Sequence, residues 1–274
     1  DTDKKIISYG TCQFPTLGFI VDAYLKHNSF TPEKFWYISV ILMKNGQSCE
    51  LKWERVHLFC KLSVLALYAS VLDNPEAKVL NVQTKETHKE KPIPLATVEF
   101  QRRVSKYLKI DPHTAMNIAE KIYANGYISY PRTETDSFPA NFNFKEIVDT
   151  LGNCQDQTIS NYAQNLQWVQ PRKGKHSDNA HPPIYPLKPP EGLAGDELKI
   201  YNFIARHYLA CVSKDAVGDE TNVSFDVGGE YFKLSGLRIR ERNFLDIYPY
   251  TPWNGTLIPP FTIGEIIRPT SIKM

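Results

Sequence analysis

The amino-acid sequence predicts an α+β protein of more than one domain, and three observations carry that prediction. Residues 35–92 hold mainly alternating, strand-like patterns, residues 93–214 hold helical periodicities, and residues 215–274 return to alternation. Strands and helices gathered in separate blocks read as an α+β architecture. At 274 residues, 42% of them hydrophobic, the chain can build one large core or two to three smaller ones. The pattern changes divide it into 1–34, 35–92, 93–214 and 215–274.

Residues 1–34 begin with polar side chains and reach a turn at Gln13-Phe14-Pro15-Thr16. Leu17, Ile20, Val21, Tyr24 and Leu25 then keep helical spacing. In residues 35–92, Trp36, Ile38, Val40 and Leu42 alternate, Asn45-Gly46 is a hairpin turn, and Leu51 and Trp53 resume the alternation. Leu58 to Leu72 is apolar enough for a buried helix, Asp73-Asn74-Pro75 breaks it, and Val79 to Val82 returns to strand. The aromatic side chains of this segment are expected in a core rather than as platforms for stacked bases.

In residues 93–214, Thr97 can cap a helix in which Phe100, Val104, Tyr107 and Leu108 share a face. Lys109-Ile110-Asp111 turns the chain into a second helix. There Asp111 is a good N-cap, Pro112 suits the first helical position, and Ala115, Ile118, Ala119, Ile122 and Tyr123 form one stripe. Asn125-Gly126 ends this helix, because glycine accepts the left-handed conformation. Two helices across a short turn resemble a helix-turn-helix. Residues 152–195 are poor in regular structure, since Pro171, Pro182, Pro183, Pro186, Pro189 and Pro190 oppose long helices and central strands. A further helix starts at Asp196, with Ile200, Ile204, His207, Tyr208 and Cys211 on one stripe. Beyond it Val223, Phe225 and Val227 alternate, Gly228-Gly229 turns, and Phe232 and Leu234 continue. Arg238, Arg240 and Arg242 then fall on one strand face.

Charge narrows the function without naming it. Lys plus Arg is 32 against 30 for Asp plus Glu, so any surface that attracts nucleic acid must be local. No apolar run approaches the 18 residues of a membrane span. Cys12, Cys49, Cys60, Cys154 and Cys211 are odd in number, scattered and without a CxxC pair, which argues against a disulfide framework or a zinc site and for a reducing compartment. The N-terminus, Asp1-Thr2-Asp3-Lys4-Lys5, has no initiator Met and no signal-peptide pattern, so the chain reads as a piece of something longer.

The stretch from Tyr127 to Asp136 concentrates the chemistry. Pro131 pushes Tyr130 out of the helical region, so Tyr130 should be extended at the mouth of a loop, with Arg132 and Glu134 on the same side. A tyrosine can act as a nucleophile on a phosphodiester, but with an ordinary pKa of roughly 10 it needs activation. An arginine two residues away can hold the phosphate and stabilise charge that builds up during attack. The same residues also fit a half-buried tyrosine before a turn, with Arg132 and Glu134 as an exposed pair.

Three ordered motifs give a resemblance. Gly-Tyr-Ile-Ser-Tyr-Pro-Arg-Thr-Glu-Thr at 126–135 resembles the active-site signature of the type IA DNA topoisomerases, in the topoisomerase III form. Ser8 to Gly18 is similar to the family's Gly-x-x-Gln-x-Pro-Thr-Leu segment, and Ser177 to Ile184 to its Ala-His-x-x-Ile segment. The Cys12-Gln13-Phe14-Pro15-Thr16 wording is closest to the eukaryotic alpha form. The similarity runs over the whole chain.

The resemblance implies reversible cleavage of single-stranded DNA through a 5′-phosphotyrosine, followed by strand passage and religation. Tyr130, not Tyr127, is then the nucleophile, Arg132 and His181 stabilise phosphate, and Glu134 orients Arg132. Gln13, Thr16, Arg102, Arg103, Lys175, Ser177, Arg238 and Arg240 are the implied DNA contacts, although many relatives carry an arginine where Thr11 stands. The implied architecture is a β-rich arch with a winged-helix-like catalytic unit. Residues 1–34 belong to a DNA-binding domain, 35–92 and 215–274 to the arch, and 93–214 to the catalytic tyrosine domain. Mg²⁺ is expected in a Toprim domain that this chain does not contain, with no metal on the chain itself, and Asp1-Thr2-Asp3 is read as an exposed end. A RecQ-type helicase and an OB-fold accessory protein are the implied partners, and the nucleus, with mitochondria in addition, the implied location.

Two other classes compete. A tyrosine recombinase or type IB topoisomerase calls for a His-x-x-Arg segment and a tyrosine near the end of its catalytic domain, and neither is found. A non-catalytic DNA-binding or partner-binding module of the same fold fits less well, because Tyr130 and Arg132 are both present.

Overall fold

A computed structural model of the chain describes residues 9–178 and 180–274. Asp1-Thr2-Asp3, Ser8 of the first motif and Asn179 of the third lie outside the described residues. The fold is α+β and divides into two compact units, one of Asp1–Lys78, Phe225–Lys233 and Ile266–Met274, the other of Val79–Ser224 and Leu234–Glu265.

The first unit opens with helix α1, Gln13–Asn28. The sequence predicts a turn before this helix, yet the helix begins at Gln13 and takes Pro15 into its first turn. A missing N–H costs nothing there, because the first N–H groups of a helix have no partner within it. No residue of α1 is buried. Strands β1, Ser39–Lys44, and β2, Gln47–Trp53, pair in register Val40↔Leu51 and Leu42↔Cys49. Asn45 (φ 50°) and Gly46 (φ 77°) both take the positive φ that a tight hairpin turn demands. Helix α2, Lys61–Asp73, follows, and it is not the buried helix its composition predicts. Only Val64 and Val71 are buried, while Leu62, Leu65 and Leu72 face outward.

The chain then enters strand β3, Ala77–Lys89, and later supplies β4, Ala216–Val227, β5, Glu230–Glu241, β6, Ile266–Ile267, and β7, Ser271–Lys273. In the first unit β7 pairs with β1 through Val40↔Ile272, β5 with β2 through Trp53↔Phe232, and β6 with the start of β3 through Ala77↔Ile267.

The second unit holds the remaining helices and the longer parts of β3, β4 and β5, and those three strands lie in that order. Helix α3, Thr97–Arg103, runs into a π-turn at Val104–Leu108 and ends with Lys109 in the left-handed region. Thr97 is not its cap, contrary to the expectation; Ala96 stands there without a side-chain bond. Helix α4, Pro112–Ala124, has the predicted ends. Asp111 accepts from the N–H groups of His113 and Thr114, and Pro112 fills the first position. At the other end Gly126 N–H reaches Tyr123 O at 2.7 Å and Tyr127 N–H reaches Ile122 O at 3.0 Å. Those are the paired bonds of a Schellman close, with Gly126 at φ 73°.

Helices α5, Phe144–Leu151, and α6, Gln157–Asn165, follow, the second inside a stretch expected to be irregular. Helix α7, Gly195–Cys211, is the centre of the core. Ile200, Phe203, Ile204, His207, Tyr208 and Cys211 are all buried, and Ile200, Phe203, Ile204 and Tyr208 share one core with Phe100 of α3 and Ala115, Ala119 and Ile122 of α4. Strand β5 ends at Glu241, so Arg242 does not share the strand face predicted for it. It opens the 3-10 turn Asn243–Asp246, and Asn243 at φ 48° leaves the extended conformation.

Candidate active site

Tyr130 stands three residues beyond the close of α4, in a short extended run. Ile128 bridges to Pro186, Ser129 N–H donates to Tyr185 O at 2.9 Å, and Leu187 N–H donates to Tyr127 O at 2.8 Å. The prolines that forbid a regular strand therefore still allow single bridges. Ser129 is buried and fastens the same two segments through its side chain, donating to Pro183 O and accepting from Tyr185 N–H, both at 2.9 Å. Beyond Pro131 the run alternates, with Arg132 and Glu134 exposed and Thr133 and Thr135 buried.

The Tyr130 ring is half-buried between two others. His181 lies beside it at 4.6 Å between ring centroids, and Tyr123 of α4 meets it edge-on at 5.3 Å. Among the described residues no hydrogen bond engages the Tyr130 hydroxyl. Tyr127 differs: its hydroxyl donates to Glu191 O at 2.5 Å, and Lys188 Nζ lies over its ring at 4.2 Å. Of the two candidate tyrosines, one is committed to the scaffold.

Arg132 pairs with Glu120, one turn before Tyr123 on α4, and its side chain remains 56% exposed. No bond joins Arg132 to the rings of Tyr130 or His181 among the described residues, so these three do not form one contact cluster. Glu134 does not take the orienting part expected of it, because Glu120 holds that place. Arg132 and Glu134 instead line a cleft of about 850 Å³, with Thr97, Glu99, His176 and Asp178 in its wall.

Around that cleft stand Thr97, Asp136 and Asp178, whose bonds the sequence does not foretell. Thr97 Oγ1 contacts Pro131 O at 2.7 Å and Thr133 O at 3.0 Å, and accepts from Thr133 N–H at 2.8 Å, so it anchors the run to α3. Asp136 is buried and accepts from His176 twice, from the backbone N–H at 2.8 Å and the ring Nδ1–H at 2.9 Å. Burial opposes the charged carboxylate, but these bonds outweigh it and hold its pKa below the ordinary value. Gly174 permits the approach, since a Cβ there would stand 2.0 Å from Asp136 Oδ1. Asp178 accepts from the N–H groups of His181 and Ala180, and from the hydroxyls of Thr133 and Thr135. In that order of importance these hold its carboxyl well below the usual range. Asp178 lay inside the third motif, but neither its partners nor Glu120 could be read from spacing.

The implied DNA contacts fall into groups. Gln13 and Thr16 are exposed on α1, where Thr16 Oγ1 donates to Cys12 O at 2.7 Å. Lys175 and Ser177 are exposed beside Asp136 and Asp178. Arg102 grips Glu99 with two bonds, at 2.7 and 2.8 Å. Arg103 also binds Glu99, lies 5.5 Å over the Tyr248 ring and is only 16% exposed, so little of it is open to the DNA contact expected of it. On β5, Arg240 pairs with Glu86 and, at 3.5 Å, with Asp219. Arg238 is exposed, and no ion pair is found for it among the described residues.

No three His, Cys, Asp or Glu side chains among the described residues stand where they could hold a metal ion. No helix among the described residues is long and apolar enough to cross a membrane.

Comparison with known proteins agrees with the motifs. A family model described as DNA topoisomerase matches residues 1–274. The chain is 44% identical to DNA topoisomerase 3 of Candidozyma auris over 99% of its own length and 43% of that protein. It is 41% identical to DNA topoisomerase 3-alpha of Homo sapiens over 99% of its length and 27% of that protein. It thus spans less than half the length of either relative. Among solved structures, full-length topoisomerase I from Thermotoga maritima has the same fold, with a TM-score of 0.73 at 21% identity over 98% of this chain and 45% of that one. Motif, whole-length family match and fold converge, and the chain belongs to the type IA DNA topoisomerases as a homologue of topoisomerase 3.

Proposed function

We propose that this chain is the strand-cleaving portion of a type IA topoisomerase and that Tyr130 is its nucleophile. The observation that carries the reading is the contrast between the two tyrosines: among the described residues the Tyr130 hydroxyl has no hydrogen-bond partner beside His181, whereas that of Tyr127 is bound to Glu191 O. The Tyr130 oxygen attacks phosphorus in single-stranded DNA and gives up its proton. The bond from phosphorus to the 3′-oxygen breaks, that oxygen takes up a proton, and a 5′-phosphotyrosine and a free 3′-hydroxyl result. Religation is the reverse, and the phosphodiester bond energy is kept in the covalent link, so no external energy source is needed.

His181 supplies a hydrogen bond or a proton at the reacting oxygens. Arg132 exchanges Glu120 for the phosphate, since an exposed guanidinium on one carboxylate can be recruited by a stronger anion. Gln13, Thr16, Lys175, Ser177 and Arg238 meet the DNA backbone, with residues 93–214 as the catalytic tyrosine domain and 35–92 and 215–274 as the arch. Mg²⁺ is held by carboxylates outside this chain, so the isolated chain binds single strands weakly and does not cleave them. In the complete protein the cycle relaxes negative supercoils and unlinks DNA during recombination and repair. A RecQ-type helicase and an OB-fold protein are its partners, in the nucleus and in mitochondria.

The test is a single-stranded oligonucleotide, labelled at either end in separate reactions, incubated with the full-length protein and Mg²⁺ and resolved on a denaturing gel. The 3′-labelled fragment should migrate with protein and the 5′-labelled fragment should run free with a 3′-hydroxyl. Transfer of the 5′ label to protein would reverse the polarity and overturn the reading.

A further inference from the structure

We propose that Asp178 is the positioning residue of this site, tying the run that carries Tyr130 to the segment that carries His181 and so setting how the two side chains face each other. The inference rests on the reading of Tyr130 as nucleophile. Its basis is the set of donors that one carboxylate collects. Oδ1 accepts from the N–H groups of Ala180 at 2.9 Å and His181 at 2.8 Å, and from the hydroxyl of Thr135 at 3.0 Å. Oδ2 accepts from the hydroxyl of Thr133 at 2.9 Å. Asp178 N–H returns a bond to Thr135 Oγ1 at 3.0 Å.

A local Asx turn would need only the two amides. The threonines come from 45 and 43 residues earlier in the chain, and both are buried, so their hydroxyls require partners. They point inward because the run alternates, which sends its outward positions, Arg132 and Glu134, to the cleft. Thr133 is in turn fixed to α3 through Thr97. A continuous path of bonds therefore leads from α3 through Thr133 and Asp178 to the backbone of His181, whose ring lies against Tyr130.

Asp178 also faces the histidine ring itself. Oδ2 is 3.7 Å from His181 Nδ1, beyond hydrogen-bond distance but within reach of a small ring rotation. A carboxylate there favours the ring form with hydrogen on Nδ1, which leaves Nε2 for the substrate. Loss of Asp178 should slow the chemical step and leave DNA affinity nearly unchanged, because the misplaced groups are the reacting ones.

The experiment uses the full-length protein with Asp178→Ala, Asp178→Asn and Thr135→Val. It follows the single-turnover rate of adduct formation on a labelled oligonucleotide, the oligonucleotide Kd and the melting temperature. Asp178→Ala should cut the rate by about ten- to a hundredfold with Kd within about twofold. Asp178→Asn, which keeps the shape and one acceptor oxygen, should fall between it and wild type, and Thr135→Val should show a smaller loss in the same direction. Should Asp178→Ala not fold, the other two variants are judged on the same criteria. A wild-type rate in folded variants overturns the proposal, as does a rate loss matched by weaker binding or lower melting, which would make Asp178 merely structural. Tyr130→Phe is run alongside. An adduct that survives it removes the nucleophile reading itself, whereas Tyr130-dependent cleavage that ignores Asp178 removes only this inference.

Discussion

Helix α7 and the Tyr127–Asp136 run belong to the same unit and are held in different ways. Most of α7 is buried and apolar, and its one buried imidazole, His207, is fully partnered by Tyr248 and Ile93 O. The run buries Ser129, Thr133, Thr135 and Asp136, and each is hydrogen-bonded to another segment. Apolar packing has little directionality and supplies most of the stability. Hydrogen bonds contribute less net stability but fix direction and distance. The helix should therefore govern whether the unit folds, and the run should govern whether it reacts.

The largest expected effect breaks the run's chemistry alone. Tyr130→Phe in the full-length protein should abolish the covalent adduct with melting unchanged, because only an unengaged hydroxyl is lost. Tyr127→Phe should keep cleavage and lose about 1 kcal/mol of stability with its bond to Glu191 O. An adduct lost with Tyr127 and kept without Tyr130 would invert the comparison. Next comes the helix: Phe203→Ala should cost about 3–5 kcal/mol in a urea titration while the folded fraction still cleaves.

The third prediction concerns acid. His207 donates from Nε2 to Ile93 O and accepts at Nδ1 from the Tyr248 hydroxyl, and burial lowers its pKa to about 4. The unfolded chain takes up this proton near its ordinary pKa of roughly 6.5, so stability is full above that value and falls toward pH 4, by roughly 3 kcal/mol. Urea titrations across that window should show the loss, and His207→Gln should flatten it. Gly174→Ala tests the run in turn. Its Cβ would collide with Asp136, which should cost about 1–3 kcal/mol and slow cleavage further than Phe203→Ala does at equal folded fraction.

The smallest effect separates two arginines on β5. Arg238→Ala should lower the salt dependence of oligonucleotide binding by about one unit of slope. Arg240→Ala should lower it less, because Glu86 and Asp219 already neutralise that charge. Equal slopes would mean that the acids release Arg240 when DNA binds.

What could be read from the sequence was local. Asp111 and Pro112 set one end of α4 and Asn125-Gly126 the other, each through adjacent residues, and the alternation around Asn45-Gly46 set a hairpin. Helix α5 had an equally local signal, Asn143 capping Glu146 N–H at 3.3 Å, and α6 had Asp156 as its cap. The prolines that oppose regular structure begin only at Pro171, so α6 lies ahead of them within the 152–195 stretch. What could not be read depends on partners distant in the chain. Thr97 bonds a carbonyl 36 residues on, Arg132 finds Glu120 rather than Glu134, and Asp178 gathers donors from two segments. Spacing along one strand says which side chains share a side, and nothing about what the fold brings opposite them.

The most direct measurement is peptide mapping of the covalent adduct. Full-length protein is trapped on a single-stranded oligonucleotide, digested with nuclease and protease, and the modified peptide is sequenced by mass spectrometry. A nucleotide joined through its 5′-phosphate to Tyr130 is the predicted result. Modification of Tyr127, Tyr123 or any other tyrosine would contradict the account.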